Sequence, residues 1–286
     1  MDLSTVSSSS ILIFLTAAIF SSLGMGGSAG YLAVFSLLSV PAATMSTSVL
    51  LINVLVTSIT VISFTRAGHK PVAALWPFLL TSIPSAFIGG SLHLQDQTYS
   101  VLLALALAAA AVGVAIVPHQ QSQEPDTKVL QSMTSSRAVP LLAGCLLGLI
   151  AGIVGIGGGV LLSPILILLR WDTVRRIAAT TATFSFVNSL AGLAGRCSTT
   201  SIDFTVVAPL VVAACAGAFL GSRLGSKTLS TSIPRRLLAL VLTGVAARLM
   251  ITSAGPEFDS LRLALTNVAH GQQIAERQNG DQSLPQ

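Results

Sequence analysis

The chain has few charged residues. Asp, Glu, Lys and Arg make up only 9% of its 286 residues, against about 25% in an ordinary soluble domain. The ten acidic residues lie outside the long apolar runs or at their edges, and the four histidines lie in loops or at segment ends. This excludes a buried carboxylate relay and a protease built on a submerged Asp pair or Ser–His pair. We predict that the chain is not an enzyme.

Potential metal ligands are also scarce. The three cysteines, Cys145, Cys197 and Cys215, have no metal-ligand spacing, so we interpret them as packing residues. We predict no metal and no cofactor.

The net charge of +5 could suggest a nucleic-acid partner, but the basic residues cluster between apolar segments, which is the pattern that orients membrane proteins. We therefore predict a lipid bilayer, and no nucleic acid, as the surroundings.

Apolar residues are abundant instead, at 52% with a mean hydropathy of +0.82. A soluble core could not bury so much apolar surface, whereas a membrane-embedded bundle need not. Six apolar stretches have close to the ~20 residues that a spanning helix needs: 44–65, 71–94, 98–118, 177–195, 204–222 and 234–254. Four shorter ones lie at 11–23, 29–40, 139–154 and 160–170. We predict an all-α, multi-pass protein of the plasma (inner) membrane.

The chain contains one unit twice. Glycine clusters at 24–27 and 155–159 interrupt apolar runs, and Gly24, Gly26 and Gly27 match Gly155, Gly157 and Gly158 at an offset of 131. Further along, Asn53 matches Asn188 and Pro77 matches Pro209. We predict an N-terminal repeat at 1–118, a polar cytoplasmic linker at 119–138, a C-terminal repeat at 139–254 and a polar tail at 255–286.

The short stretches beside each glycine cluster leave two topologies open. Each pair could form one kinked helix, giving eight crossings, or a re-entrant hairpin, giving six crossings and inverted repeats. With hairpins, eleven of the fifteen Lys and Arg residues share one side, whereas kinked helices divide them almost evenly. The positive-inside bias favours the uneven division. We therefore expect hairpins, with the charged side and the linker in the cytoplasm.

Glycines that break apolar segments at matching places in two halves point to a transporter's central binding site. Where the chain unwinds, backbone N–H groups and the dipole of the following half-helix can hold an anion. The candidate residues of this kind are Gly26, Gly27, Gly157, Gly158 and Gly159. The alternative is close helix packing through small residues.

Polar residues on the following helix form the second part of the predicted site. Thr181, Ser185, Asn188 and Gly192 fall on one helical face, and Asn53 lies on the equivalent face of the first repeat. Neutral amide and hydroxyl groups suit an oxyanion because they bring no buried countercharge. The alternative is interhelical hydrogen bonding, worth about 0.6 kcal/mol on average in membranes.

A third glycine pattern, Gly217-xxx-Gly221-xxx-Gly225, is typical of a close-packing face. Its counterpart in the first repeat is Thr81-xxx-Ser85-xxx-Gly89. Such faces could hold the two repeats together or join two copies of the chain in a homodimer.

The segment GLIAGIVGIGGGVLLSPILILL, followed by RRIAATTATFSFVNSLAGLAG, resembles the second-half signature of the TauE/SafE family of sulfite and organosulfur anion exporters. The resemblance implies a permease for small sulfur-containing anions such as sulfite, sulfoacetate or other sulfonates. It also implies that Gly155, Gly157, Gly158, Gly159 and Pro164 form the glycine motif, with Thr181 and Asn188 as the polar motif downstream. The first copy has Ser28 in place of Gly159, so the halves need not contribute equally.

We therefore predict a carrier that exports a small anionic solute by alternating access. Two alternatives stay open at this point: a membrane scaffold or assembly protein that transports nothing, and a transporter of an unrelated small solute.

Overall fold

The computed structural model describes residues 3–37, 42–92, 94–116, 138–197 and 204–227, together with 243, 244, 246 and 247. Within these ranges the chain is helical and contains no β-strand. The nine helices of ten or more residues found there are α1 (Leu3–Ser22), α2 (Ser28–Leu37), α3 (Ala42–Arg66), α4 (Trp76–Ser91), α5 (Asp96–Ile116), α6 (Ala138–Val154), α7 (Gly159–Leu168), α8 (Val174–Cys197) and α9 (Phe204–Lys227). The prediction of an all-α protein is confirmed.

Among the described residues, four helices are long and apolar enough to cross a membrane: α3, α4 with the 3-10 turn before it, α8 and α9. They coincide with the predicted spans at 44–65, 71–94, 177–195 and 204–222. Helix α5 covers the span predicted at 98–118 and has 21 residues. Most of the span predicted at 234–254, the linker and the polar tail lie outside the described residues. The chain is a polytopic membrane protein.

The helices break at both glycine clusters. Between α1 and α2, φ is +76° at Gly24, +84° at Gly26 and +101° at Gly27. Between α6 and α7 it is +87° at Gly155, +63° at Gly157 and +80° at Gly158. L-residues with a side chain pay a steric cost in this left-handed region, so glycine is required. We call residues 23–27 the first glycine loop and residues 155–158 the second.

Each glycine loop turns the chain back on itself. A Cβ atom on Gly30 of α2 would meet Thr16 and Phe20 of α1, so α2 lies beside α1. In the second half, the start of α6 and the end of α7 both reach Phe78. Gly144 of α6 lies against the Phe78 backbone, and the Trp171 ring, just after α7, contacts the Phe78 ring edge-on at 5.8 Å. These contacts are consistent with the predicted hairpins, and the number of membrane crossings stays a prediction.

The two halves pack through faces of small residues. Glycines 217, 221 and 225 of α9 lie against the carbonyl oxygens of Phe14, Ala18 and Ser22 in α1. Glycines 144, 148 and 152 of α6 lie in the same way against Phe78, Ser82 and Ala86 in α4. Helix α1 of the first half thus packs on α9 of the second half, and α6 of the second half packs in the same way on α4 of the first half. These faces are occupied within one chain, and a homodimer stays a prediction.

Helices α3 and α8 cross at the centre and are the most buried of the four long helices. They run in opposite directions, since the start of α3 and the end of α8 both meet the end of α6. The Ser46 hydroxyl bonds Tyr99, whose hydroxyl bonds Val154 O, and Arg196 bonds Ile153 O. This crossing positions the candidate site.

Candidate substrate site

A buried polar group lies where α3 crosses α8. The amide nitrogen Nδ2 of Asn53 donates to Ser185 Oγ at 3.1 Å and to Ser189 Oγ at 2.7 Å. All three side chains are fully buried. We call Asn53, Ser185 and Ser189 the polar crossing. It joins a residue of the first half to two residues of the second.

Both glycine loops reach the polar crossing. A Cβ atom on Gly26 would lie 2.7 Å from Asn53 Oδ1 and 3.3 Å from Ser185 Oγ. A Cβ atom on Gly157 would lie 2.5 Å from Asn53 Nδ2 and 2.6 Å from Ser185 Oγ, and one on Gly159 would lie 2.8 Å from Ser185 Cβ. Only glycine lets the backbone approach so closely. The structure therefore brings five predicted site residues together: Gly26, Asn53, Gly157, Gly159 and Ser185.

Each glycine loop also rests on the central helix of the other half. Gly24 in the first loop lies against the Ala178 backbone of α8, and the Thr181 hydroxyl is shared between Ile177 O of its own helix at 3.0 Å and Gly24 O at 3.1 Å. Gly155 in the second loop lies against Ser46 of α3. A further bond runs from the hydroxyl of Ser28, the first residue of α2, to Ile156 O in the second loop. The site is thus built by both halves at once.

Backbone N–H groups are available at both loops. The first hydrogen bonds of the short helices run from Tyr31 N–H to Gly27 O at 3.0 Å and from Leu161 N–H to Gly158 O at 3.1 Å. The N–H groups of Gly26, Gly27, Gly157 and Gly159 have no acceptor among the described residues. Gly158 precedes α7 as its N-cap and supplies no side-chain cap. Free N–H groups at a helix start favour an anion.

Three predicted residues lie at the edge of this arrangement. Gly27 faces the Tyr31 hydroxyl, and Gly158 faces the Phe184 ring. Asn188 is fully buried, but its Nδ2 donates to Phe184 O of its own helix at 2.8 Å rather than to Asn53. The two asparagines are equivalent in sequence, yet they do not bond each other.

The asparagines differ in what they can present to a ligand. Both Oδ1 atoms are buried without a partner in the described part of the chain. The Asn53 amide can rotate by 180°, because its serine partners donate as well as accept hydrogen bonds. Asn188 cannot, since its partner is a carbonyl oxygen that only accepts. Asn53 can therefore offer a donor or an acceptor, whereas Asn188 keeps its Oδ1 as an acceptor together with the second N–H of its Nδ2.

Sequence reasoning missed several supporting residues. The chain has two tyrosines, and each donates its hydroxyl to a carbonyl beside one glycine loop. Tyr31 bonds Gly26 O at 3.1 Å and Tyr99 bonds Val154 O at 2.9 Å. The two tyrosines could have been singled out from the sequence, because tyrosine is rare in this chain and both lie inside apolar runs. Ser189 was missed although it lies one helical turn after Ser185, on the same side of α8.

Arg196 is the one buried charged residue in the described part of the chain. Its guanidinium donates to Gly152 O at 3.4 Å and to Ile153 O at 2.5 Å, at the carboxyl end of α6. A cation there complements the negative end of the helix dipole. No cluster of His, Cys, Asp or Glu able to hold a metal occurs among the described residues.

Long apolar helices and two glycine loops that meet at a buried polar crossing define a polytopic membrane transporter. Residues 10–249 match the family described as "Sulfite exporter TauE/SafE", and the chain belongs to this family. The "Probable membrane transporter protein y4hK" of Sinorhizobium fredii (strain NBRC 101917 / NGR234) is 28% identical over 232 residues, which cover 81% of this chain and 93% of that protein.

A second relative is the "Probable membrane transporter protein YjnA" of Bacillus subtilis (strain 168). It is 28% identical over 155 residues, which cover 51% of this chain and 61% of that protein. No solved structure matches the chain. The relatives and the family agree on membrane transport.

Proposed function

We propose that the protein is a carrier that exports small sulfur-containing anions, such as sulfite, sulfoacetate or other sulfonates, by alternating access. The observation that carries the proposal is the meeting of both glycine loops at Asn53 and Ser185. The name of the family supports a sulfur oxyanion as the substrate class. The chemistry of the site supports an anion independently.

The anion would be held mainly by backbone. N–H groups of Gly26, Gly27, Gly157, Gly158 and Gly159 would donate to its oxygens, with the dipoles of α2 and α7 adding positive potential. Side chains of Asn53, Thr181, Ser185 and Asn188 would complete the site. The Asn188 Oδ1 atom suits the O–H of a hydrogen-bearing oxyanion, because that atom can only accept. No buried countercharge is needed, so release is not opposed by an ion pair.

Alternating access would follow from the contacts between the halves. Each glycine loop rests on the central helix of the other half, so rocking one half moves its loop against the polar crossing. The glycine faces between α1 and α9 and between α4 and α6 place backbone against backbone. Few side chains interlock there, so we expect these faces to permit sliding. In the inverted topology, the same motion opens the site to each side in turn.

The test is efflux of labelled sulfite from proteoliposomes, with sulfoacetate, sulfate and thiosulfate as competitors. Asn53→Ala and Asn188→Ala are compared with wild type and with Ser58→Ala. Ser58 is a matched control because it lies on α3 and bonds only Leu55 O of its own helix. We expect saturable flux that both Asn variants lower at least tenfold and that Ser58→Ala leaves unchanged.

Other outcomes would assign the site differently. Wild-type flux in a normally inserted Asn variant would remove that residue from the site. Flux that sulfate abolishes but sulfonates do not affect would point to inorganic oxyanions. An absence of flux for every anion would contradict the proposal and favour an unrelated solute or a scaffold role.

A further inference from the structure

A cavity lies away from the polar crossing, between the carboxyl ends of α3 and α9. Its volume is about 510 Å³, within the roughly 300–1,000 Å³ range of small-molecule sites. Arg66, Arg223 and Lys227 line it at one end, and Ile59, Ile62 and Phe219 form its apolar wall. Arg66 is thirteen residues beyond Asn53 on α3, or about 20 Å at 1.5 Å per residue. The cavity is therefore separate from the proposed substrate site.

The charge of the cavity is entirely positive. None of its lining residues is acidic, and none of its three cations pairs with a carboxylate in the described ranges. The ion pair found among the described residues joins Arg176 to Asp172 at 2.7 Å, and neither residue lines the cavity. The Arg223 guanidinium carbon lies 4.1 Å from the centre of the Phe219 ring, which holds the charge at the border of the apolar wall. The site suits an anion with an apolar part.

The apolar wall is continuous with the outer surface of the bundle. Ile62 is 49% exposed and Phe219 is 44% exposed, and Leu220 and Leu224 continue the exposed apolar surface along α9. In a polytopic protein, exposed apolar side chains of this kind face lipid tails. A free inorganic anion would gain nothing from this wall, whereas an acyl chain would lie along it.

We propose that this cavity binds an anionic phospholipid, with its phosphate between Arg66, Arg223 and Lys227 and an acyl chain against Ile62 and Phe219. Basic pockets between membrane helices bind such headgroups in this way. The ligand would join α3 of the first half to α9 of the second. The bond from the Ser222 hydroxyl to Ser63 Oγ at 2.9 Å already links these helices at the same level. The proposal does not depend on the transported solute.

Native mass spectrometry of the full chain in detergent tests the proposal, with dioleoyl phosphatidylglycerol, dioleoyl phosphatidylcholine and inorganic phosphate as probes. We expect phosphatidylglycerol to bind with clear preference over phosphatidylcholine. Each cation removed should weaken phosphatidylglycerol binding about fivefold. The double variant Arg66→Gln/Arg223→Gln should therefore weaken it about 25-fold. Arg66→Lys/Arg223→Lys should retain most of it.

The matched control is Lys70→Gln/Arg170→Gln. It removes the same charge from two exposed residues that do not line the cavity. Equal weakening by the control, or equal binding of the two lipids, would overturn the proposal. Displacement of phosphatidylglycerol by millimolar inorganic phosphate would also overturn it, in favour of a free-anion vestibule.

Discussion

The closest approach between a glycine loop and the polar crossing is at Gly157, so Gly157→Ala is the sharpest perturbation of the candidate site. Alanine there would keep a φ of +63°, which costs an L-residue about 1–2 kcal/mol. Its Cβ atom would also lie 2.5 Å from Asn53 Nδ2, so Asn53 must move. Moving it breaks the bonds to Ser185 and Ser189, at about 1 kcal/mol each.

Gly68→Ala separates these two costs. Gly68 has a φ of +90°, and no atom lies within 4 Å of the position of its missing Cβ. This control therefore carries the backbone cost alone. The difference between the variants is about 2 kcal/mol, or about thirtyfold in an equilibrium. At about 2–4 °C per kcal/mol, Gly157→Ala should melt about 4–8 °C below Gly68→Ala.

Two measurements on the purified variants check this reasoning. Thermal unfolding in detergent gives the difference in Tm, and anion efflux from proteoliposomes gives the initial rate. We expect the rate of Gly157→Ala to fall at least thirtyfold below that of Gly68→Ala. Equal melting temperatures and equal rates would refute the close contact between the second glycine loop and Asn53.

Three further predictions concern the supports of the site and its orientation. Tyr99→Phe leaves Val154 O without its donor, so unfolding should become easier by about 1–3 kcal/mol, measured as a lower Tm. Arg196→Gln removes the cation at the carboxyl end of α6. We expect the free energy of unfolding to fall by about 1–3 kcal/mol, and a Tm equal to that of wild type would contradict the buried contact. Reporter fusions at residues 128 and 286 should lie on opposite sides of the membrane, and the same side for both would exclude the hairpin topology.

The breaks in the helices could be predicted because their cause is local. A left-handed backbone requires glycine, so Gly24, Gly26, Gly155 and Gly157 carry the signal in their own identity. The long spans were predictable for a similar reason, since length and hydropathy are properties of a continuous segment. The placement of Asn53 and Ser185 on inward faces followed from helical periodicity.

The partners of these residues could not be predicted in the same way. Asn53 bonds Ser185 and Ser189 rather than its sequence equivalent, Asn188, because the crossing of α3 and α8 decides which side chains meet. No pattern within one segment specifies that crossing. Arg196 entered the sequence analysis only as one of the fifteen basic residues that orient the chain. Its burial depends on α6, a helix far away in sequence.

The exchange of loops between the halves has an evolutionary consequence. Because Gly24 rests on α8 and Gly155 rests on α3, half of this chain would hold one loop and lack the helix that receives it. A half-length ancestor would have needed a second copy of itself, inserted upside down in the inverted arrangement proposed above. The two copies in this chain are no longer identical, since Ser28 stands opposite Gly159. The Ser28 hydroxyl now bonds the other loop, which a glycine could not do.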